Sequence, residues 1–288
     1  MDEELKQLAF GFFKNFIPDN EKQMIWPFNR RFKKTIAKIE ITGAIASQAR
    51  TRILKALEFV QENHFPALVL RIDSPGGTVG DSQEIYDALK RAREKIKIVA
   101  SFGNISASGG VYIGVGADYI VANPGTITGS IGVILRGNNL EKLLDKVGVS
   151  FKVIKSGPYK DILAFDRELT EPEKEILQAL IDSSYNQFVQ TVAEGRKLSP
   201  DVVRSFADGR VFTGEQALAL GLVDRLGTEN DARRWAAELV GLDPEKTKFH
   251  AIEPPKSLVS RFLPGGNEAF TRLQFEVETS GIPLWIWQ

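Results

Sequence analysis

The apolar positions of this chain change period along its length, and the changes divide it into three stretches. Leu5, Leu8, Ala9, Phe12, Phe13, Phe16 and Ile17 recur at helical spacing, so residues 1–22 are expected to form a short helix with one apolar face. Trp26-Pro27-Phe28 and the cations Arg30, Arg31, Lys33 and Lys34 follow. Aromatic rings beside cations suit either a membrane interface or a docking arm against this or another subunit. Residues 1–33 are therefore read as an N-terminal arm.

From Lys34 onward strand-like and helix-like runs alternate, as in a layered α/β domain. Strands are expected at Ile36–Ile41, Ala67–Ile72, Ile96–Ser101, Asp118–Ala122 and Val149–Ile154. Helices are expected near Ser47–Asn63, Asp81–Lys95, Leu140–Val147 and 170–197, the last opening on Thr170-Glu171-Pro172-Glu173 with a capping threonine and an early proline. Its apolar positions, among them Ile176, Leu180, Tyr185 and Phe188, are core or subunit contacts. The domain is taken as 34–240 and the remainder, 241–288, as a C-terminal tail. That tail contains Pro254, Pro255, Pro264 and Gly265-Gly266, and it finishes in Ile282-Pro283-Leu284-Trp285-Ile286-Trp287.

Two of the strands run into small, flexible residues: Asp73-Ser74-Pro75-Gly76-Gly77, and Gly103-Asn104-Ile105-Ser106-Ala107-Ser108-Gly109-Gly110. In open α/β sheets sites form at the carboxyl edge of the strands, which is where both turns fall. Composition narrows the chemistry. The 288 residues are 43% hydrophobic with 37 basic and 37 acidic side chains, so bulk charge offers no hold on a nucleic acid. There is no cysteine, which removes thiol nucleophiles, cysteine-ligated zinc and disulfides together. No metal or cofactor is expected. No apolar run approaches the roughly 20 residues that span a bilayer, and no cleavable leader is recognised.

Amide hydrolysis needs a nucleophile, a base and donors aimed at the developing oxyanion. Ser108 follows a strand and precedes a helical stretch (Gly109 to Gly116), so its hydroxyl is expected at a helix N-terminus where backbone N–H groups point outward. Gly109 N–H is then one oxyanion donor, and Gly77, on the neighbouring turn, is the choice for the second. The pattern G-x-S-x-G is absent, which argues against an α/β-hydrolase. The two histidines are poorly placed as bases: His64 precedes its strand at the far end from the turns, and His250 lies in the tail. Lysine can replace histidine only when neutral. An ordinary lysine, with a pKa of about 10.4, is neutral in roughly one molecule in 2,500 at pH 7, so a lysine base needs burial and no paired carboxylate. Lys160, on the turn Lys155-Ser156-Gly157-Pro158-Tyr159-Lys160-Asp161, is the candidate, and Asp161 is expected to point elsewhere.

Asp73-to-Gly77, Ser106-to-Gly110, Thr128-Gly129-Ser130-Ile131-Gly132, Ser156-to-Asp161 and Asp208-to-Gly214 together resemble, in order and spacing, the signal peptide peptidase A family of the Clp-protease/crotonase superfamily. The resemblance covers about residues 34–228. It implies a layered β-β-α spiral fold whose long helix protrudes for oligomerisation. It also implies Ser108 as the acylating serine, Lys160 as base, and Ser130 as a hydroxyl that orients the lysine. In that family serine and lysine of one dyad come from different subunits, or from two halves of a double-length chain. One copy of each motif here is similar to the half-length form, expected to assemble as a ring of about eight. The implied substrates are hydrophobic, signal-peptide-like peptides, with small or apolar side chains expected at the cut. Related chains commonly carry a transmembrane anchor, whereas this one offers an amphipathic arm, so peripheral membrane or cytoplasmic location is expected. The apolar tail is expected to dock in its own or a neighbouring groove and to be trimmed there.

Two other readings use the same turns. A crotonase-type acyl-CoA enzyme stabilises a thioester enolate with the same pair of N–H groups, but it requires a placed Glu or Asp and a site for the CoA phosphates, which is not evident. A catalytically silent membrane-associated scaffold would have no need of both Ser108 and Lys160.

Overall fold

A computed structural model describes residues 32–252 and 282–287. The helix expected over 1–22, the Trp26-Pro27-Phe28 patch and most of the tail lie outside the described residues. Strands β1 (Ile36–Thr42), β2 (Ala67–Ser74) and β4 (Lys97–Ala107) form the centre of a sheet, with helices α1 (Ser47–Glu62) and α2 (Val79–Arg93) between them in sequence. A short strand, β3 (Gly76–Thr78), follows β2 directly. After β4 come α3 (Gly109–Gly114), β5 (Tyr119–Ala122), β6 (Ile127–Gly129), α4 (Glu141–Val147) and the long α5 (Glu171–Arg196). The described order closes with α6 (Pro200–Arg204), β7 (Val211–Thr213), α7 (Gly214–Ala219), β8 (Arg225–Leu226), α8 (Glu229–Leu239), β9 (Phe249–Ala251) and β10 (Leu284–Ile286).

The eight-stranded sheet runs β7-β6-β4-β2-β1-β9, with β5 joined to β4 and β8 to β5. The β1–β2, β2–β4, β4–β5 and β4–β6 pairs are parallel. Such a sheet is covered on both faces, and β2 is apolar on both because of it. Leu68, Leu70 and Ile72 pack with Ile53, Leu57 and Val60 of α1 and Ile85 and Leu89 of α2. Ala67 and Val69 turn the other way, onto Ala232, Trp235 and Ala236 of α8. Period two along one strand thus supplies two cores.

β4 is longer than the run Ile96–Ser101 suggests, because the glycine-rich stretch after it stays extended as far as Ala107. A side chain explains this. The register between β2 and β4 shifts at Asp73, whose carboxylate accepts from the backbone N–H groups of Asn104 and Ile105 at 3.3 and 3.1 Å. Gly103 allows the approach, since a Cβ there would lie 2.6 Å from the Asp73 carboxylate. The first half of β4 then pairs with β5 and the second half with β6. This bend is a β-bulge device that re-aims the strand end.

Two other segments depart from expectation. Val149–Ile154 is not a strand: it pairs with no described strand and its side chains are exposed. Its apolar residues therefore reflect an uncovered surface rather than a sheet position. Within the stretch expected as tail, β9 pairs with β1 (Ala37 beside His250) and β10 pairs antiparallel with β3. The ring of His250 lies against Phe32 and Phe65 at the start of β1, the sheet edge opposite the glycine turns.

Candidate active site

The parallel register Ala107↔Gly129 brings the ends of β4 and β6 level, so Ser108 and Ser130 emerge from neighbouring strands together. Ser108 has φ 52° and ψ −114°. A side-chain-bearing residue held there costs about 1–3 kcal/mol and persists only where its surroundings over-determine it. They do: Ser108 N–H donates to the Gly129 carbonyl at 2.8 Å, and the Ser108 carbonyl accepts from Tyr112 N–H at 3.0 Å, opening α3. The side chain is 1% exposed, yet its hydroxyl has no hydrogen-bond partner among the described residues. A buried hydroxyl left unpaired costs roughly 1–3 kcal/mol, so the fold sustains two penalties at one serine. Ser130 also has φ 52°, is nearly buried, and donates its N–H to the Arg210 carbonyl at 2.7 Å.

Beside Ser108 runs a backbone groove. Its wall is β3, held by Ile45, whose N–H donates to the Gly76 carbonyl and whose carbonyl accepts from Thr78 N–H. The Ser74 hydroxyl accepts from Gly76 N–H at 3.1 Å, fixing the turn before it. The facing wall is the backbone at Ile134. Between them lies β10, which exchanges two hydrogen bonds between Leu284 and Ile134, at 2.9 and 3.0 Å. On its other side Val79 N–H donates to the Pro283 carbonyl and Trp287 N–H to the Pro75 carbonyl. Alternation along an antiparallel strand then directs both the N–H and the carbonyl of Trp285 at its register partner, Gly77.

The Trp285 carbonyl oxygen lies where two glycines, Gly76 and Gly109, leave room for it. A Cβ on Gly76 would sit 1.9 Å from that oxygen and 2.7 Å from the Gly109 nitrogen; one on Gly109 would sit 3.1 Å from both that oxygen and the Gly77 nitrogen. Gly77 and Gly109 are thus gathered around a single peptide carbonyl, at the N-terminus of the helix that Ser108 begins. Absence of side chains is what lets a peptide reach these amides.

Lys160 is not joined to this group. Its side chain is exposed, and among the described residues it forms no hydrogen bond to Ser108 or Ser130 and pairs with no carboxylate. The inward direction expected of it is not seen within one chain. Asp161 does point elsewhere: its carboxylate binds Lys155 at 2.6 Å and Arg167 at 2.9 Å. Arg167 also bridges to Glu173, which caps α5 through the Thr170 N–H and hydroxyl. These contacts, with Arg167 foremost in each case, hold both carboxyls down at about 2. Around the lysine turn Leu143, Val147, Phe151, Val153, Ile154 and Tyr159 are exposed, as are Ile176 and Leu180 on the first half of α5.

Sequence reasoning missed the aromatic chamber next to the serine. Trp285 is fully buried, stacked on Tyr112 with ring centroids 4.0 Å apart and packed on Phe188 at 4.8 Å. Tyr112, one helical turn after Ser108, was the available signal. Among the described residues there is no group of three or more metal-ligating side chains, and no helix long and apolar enough to cross a membrane.

A strained, buried serine at the start of a helix, beside glycine amides on a bent parallel sheet, places the chain among proteins of the Clp-protease fold. The 1510-N membrane-bound stomatin-specific protease superimposes with a TM-score of 0.54 at 15% identity, over 77% of this chain and 99% of that one. Its complex with a substrate peptide matches equally, at 0.54 and 16%, over 80% and 96%. The Clp protease profile matches residues 20–123, and that of peptidase family S49 matches residues 90–243, more than half of the chain. The chain belongs to peptidase family S49, a family of serine peptidases. A protein of Synechocystis sp. that bears a protease name is 64% identical over 277 residues, 92% of this chain and 100% of its own length. Protease 4 of Salmonella typhi is 40% identical over 189 residues, and the chloroplastic serine protease SPPA of Arabidopsis thaliana 34% identical over 178. These matches take in 65% and 61% of this chain but only 30% and 26% of those two relatives.

Proposed function

We propose that the chain is a serine endopeptidase acting through a Ser108–Lys160 dyad, on extended hydrophobic peptides of the signal-peptide kind. The observation that carries this reading is the Ser108 hydroxyl, buried without a hydrogen-bond partner on a backbone at φ 52°. In the proposed reaction Ser108 Oγ attacks the scissile carbonyl and its proton passes to the neutral amine of Lys160. The oxyanion accepts from the N–H groups of Gly77 and Gly109, which already flank a peptide oxygen. The leaving amine takes the proton from lysine, and water then hydrolyses the Ser108 ester by the same route. The Ser130 hydroxyl is assigned to orienting the lysine amine.

Because Lys160 is exposed on a segment with uncovered apolar side chains, the dyad is proposed to form between copies, each lending its lysine to a neighbour's serine. Desolvation on assembly would favour the neutral amine that catalysis needs. A ring of about eight copies, and contact with a membrane surface through the N-terminal arm, belong to the same proposal. Ser108→Ala and Lys160→Ala should each abolish peptide hydrolysis, and the two variants co-assembled should recover part of it. No recovery would sink the shared dyad. A fluorophosphonate that labels Ser106 or Ser130 instead of Ser108 would sink the choice of nucleophile.

A further inference from the structure

We infer that Arg167 is a positioning residue for the base: by occupying Asp161 it keeps the carboxylate next in sequence from pairing with the Lys160 amine. The inference rests on the reading of Lys160 as general base and deepens it. A lysine base must shed its proton, and a carboxylate beside it opposes that, because an opposite charge within about 4–6 Å favours the charged amine. Asp161 is the carboxylate one residue away. Hydrogen bonds from Arg167 first and Lys155 second hold its carboxyl at about 2, so it is an anion wherever the enzyme works. What decides its effect on the lysine is where its two oxygens are committed.

Arg167 commits them both. Its Nη2 donates to Asp161 Oδ1 at 2.9 Å and its Nε to Oδ2 at 3.3 Å. Lys155 also reaches Oδ1, at 2.6 Å, but among the described residues Oδ2 has Arg167 alone as donor. Nη2 donates as well to the Asp161 carbonyl at 3.0 Å, so the guanidinium holds the main chain at the residue after Lys160. The same fork is anchored on the buried Glu173, Nη1 to Oε2 at 2.8 Å and Nη2 to Oε1 at 2.5 Å. Glu173 is fixed in turn by the N–H and hydroxyl of Thr170 at the start of α5. Among the described residues the charged groups bearing on Asp161 are Lys155 and Arg167, and on Glu173 Arg167. Two cations thus balance two carboxylates, and Lys160 is left outside the cluster. A guanidinium suits this task because its planar fork spans two carboxylates, whereas an ammonium is a point charge. Without Arg167, Oδ2 has no donor, and the four-carbon stem of Lys160 is long enough for its amine to take that place.

The test follows hydrolysis of an internally quenched hydrophobic peptide by the full chain as pH is raised, at protein concentrations where each variant sediments like wild type. Arg167→Ala should move the midpoint of the rising kcat/KM limb up by about one pH unit or more, a roughly 10-fold loss at a fixed pH below it, with KM little changed. Adding Asp161→Asn to Arg167→Ala should bring the midpoint back towards that of wild type, because the freed carboxylate is gone. A role confined to holding the fold predicts the reverse: an undisplaced midpoint, and a double variant no faster than the single one. Should Arg167→Ala fail to fold, Arg167→Gln keeps amide donors without the charge and should show the same displaced limb. An unmoved midpoint, or a double variant that stays displaced, beside an inactive Lys160→Ala protein, would overturn the inference and leave the dyad reading intact. Hydrolysis retained by Lys160→Ala would overturn both.

Discussion

Ser108 and Ser130 leave adjacent parallel strands at the same level, and each has φ 52°. The backbone of one is tied to the other's strand, since Ser108 N–H donates to the carbonyl of Gly129, the residue before Ser130. Two serines sharing a positive φ at one sheet edge indicate a site built as a unit rather than two unrelated turns. Because the Gly129 carbonyl (φ 88°) braces the nucleophile through the main chain while Ser130 offers a side chain, side-chain and backbone effects at this pair can be separated.

Ser130→Ala removes only a hydroxyl. It should leave folding and fluorophosphonate labelling of Ser108 in place while lowering kcat by roughly 10²-fold, the lower range for a group that aids proton transfer. KM should change little. Ser108→Ala should reduce turnover by about 10⁴-fold or more. Steady-state kinetics on one peptide distinguishes the two, and a Ser130→Ala enzyme at full rate would remove Ser130 from the mechanism.

Gly76→Ala tests the groove itself. The residue has φ 104°, and the new methyl would occupy the space of the Trp285 carbonyl, 1.9 Å away. The turn is otherwise anchored by Ser74 and Ile45. Peptide hydrolysis should fall by at least about 10²-fold, the usual loss when carbonyl stabilisation fails. β10 should be displaced too, detected as faster amide exchange at Trp285 and Ile286. Retained activity with unchanged exchange would show that no peptide carbonyl needs this space.

How far the sequence reveals this arrangement depends on the kind of signal. Ala67–Ile72 and Ile96–Ser101 were legible because a parallel strand covered on both faces is apolar throughout, and α5 because capping and helical spacing agree. The serine and glycine turns were legible as ordered motifs. The extension of β4 to Ala107 was not, since it depends on Asp73 bonding backbone 31 and 32 positions away. Val149–Ile154 misled for the opposite reason: strand-like apolar residues lie on a surface that nothing described covers. The short strands β9 and β10 were hidden because they form only by pairing with β1 and β3.

Acid should loosen the lysine turn. Asp161 and Glu173, held at about 2 chiefly by Arg167, would titrate near 4 in an unfolded chain. Depressed carboxylate values mean that their stabilisation is present above about pH 4 and lost as pH falls towards 2. Arg167→Ala should therefore lower Tm at pH 7 and flatten its fall between pH 4 and 2. Arg167→Lys should restore this only in part, since a single ammonium cannot bridge two carboxylates as the guanidinium fork does. Equal acid limbs in wild type and Arg167→Ala would refute this account.

Ile154→Asp separates the fold of one chain from its assembly. Ile154 is fully exposed and Phe151 on the same segment is half exposed. A charge placed there should change the stability of a single chain by no more than about 0.5 kcal/mol. If copies meet through this segment to deliver Lys160, the buried charge would be costly at the interface. Sedimentation should then report smaller species, and peptide hydrolysis should fall by about 10-fold or more at concentrations where wild type is assembled. Activity should return as protein concentration is raised, because association is governed by mass action. An Ile154→Asp protein that sediments and cuts like wild type would place the subunit contact elsewhere, and Leu180 on the exposed half of α5 would be the next position to charge.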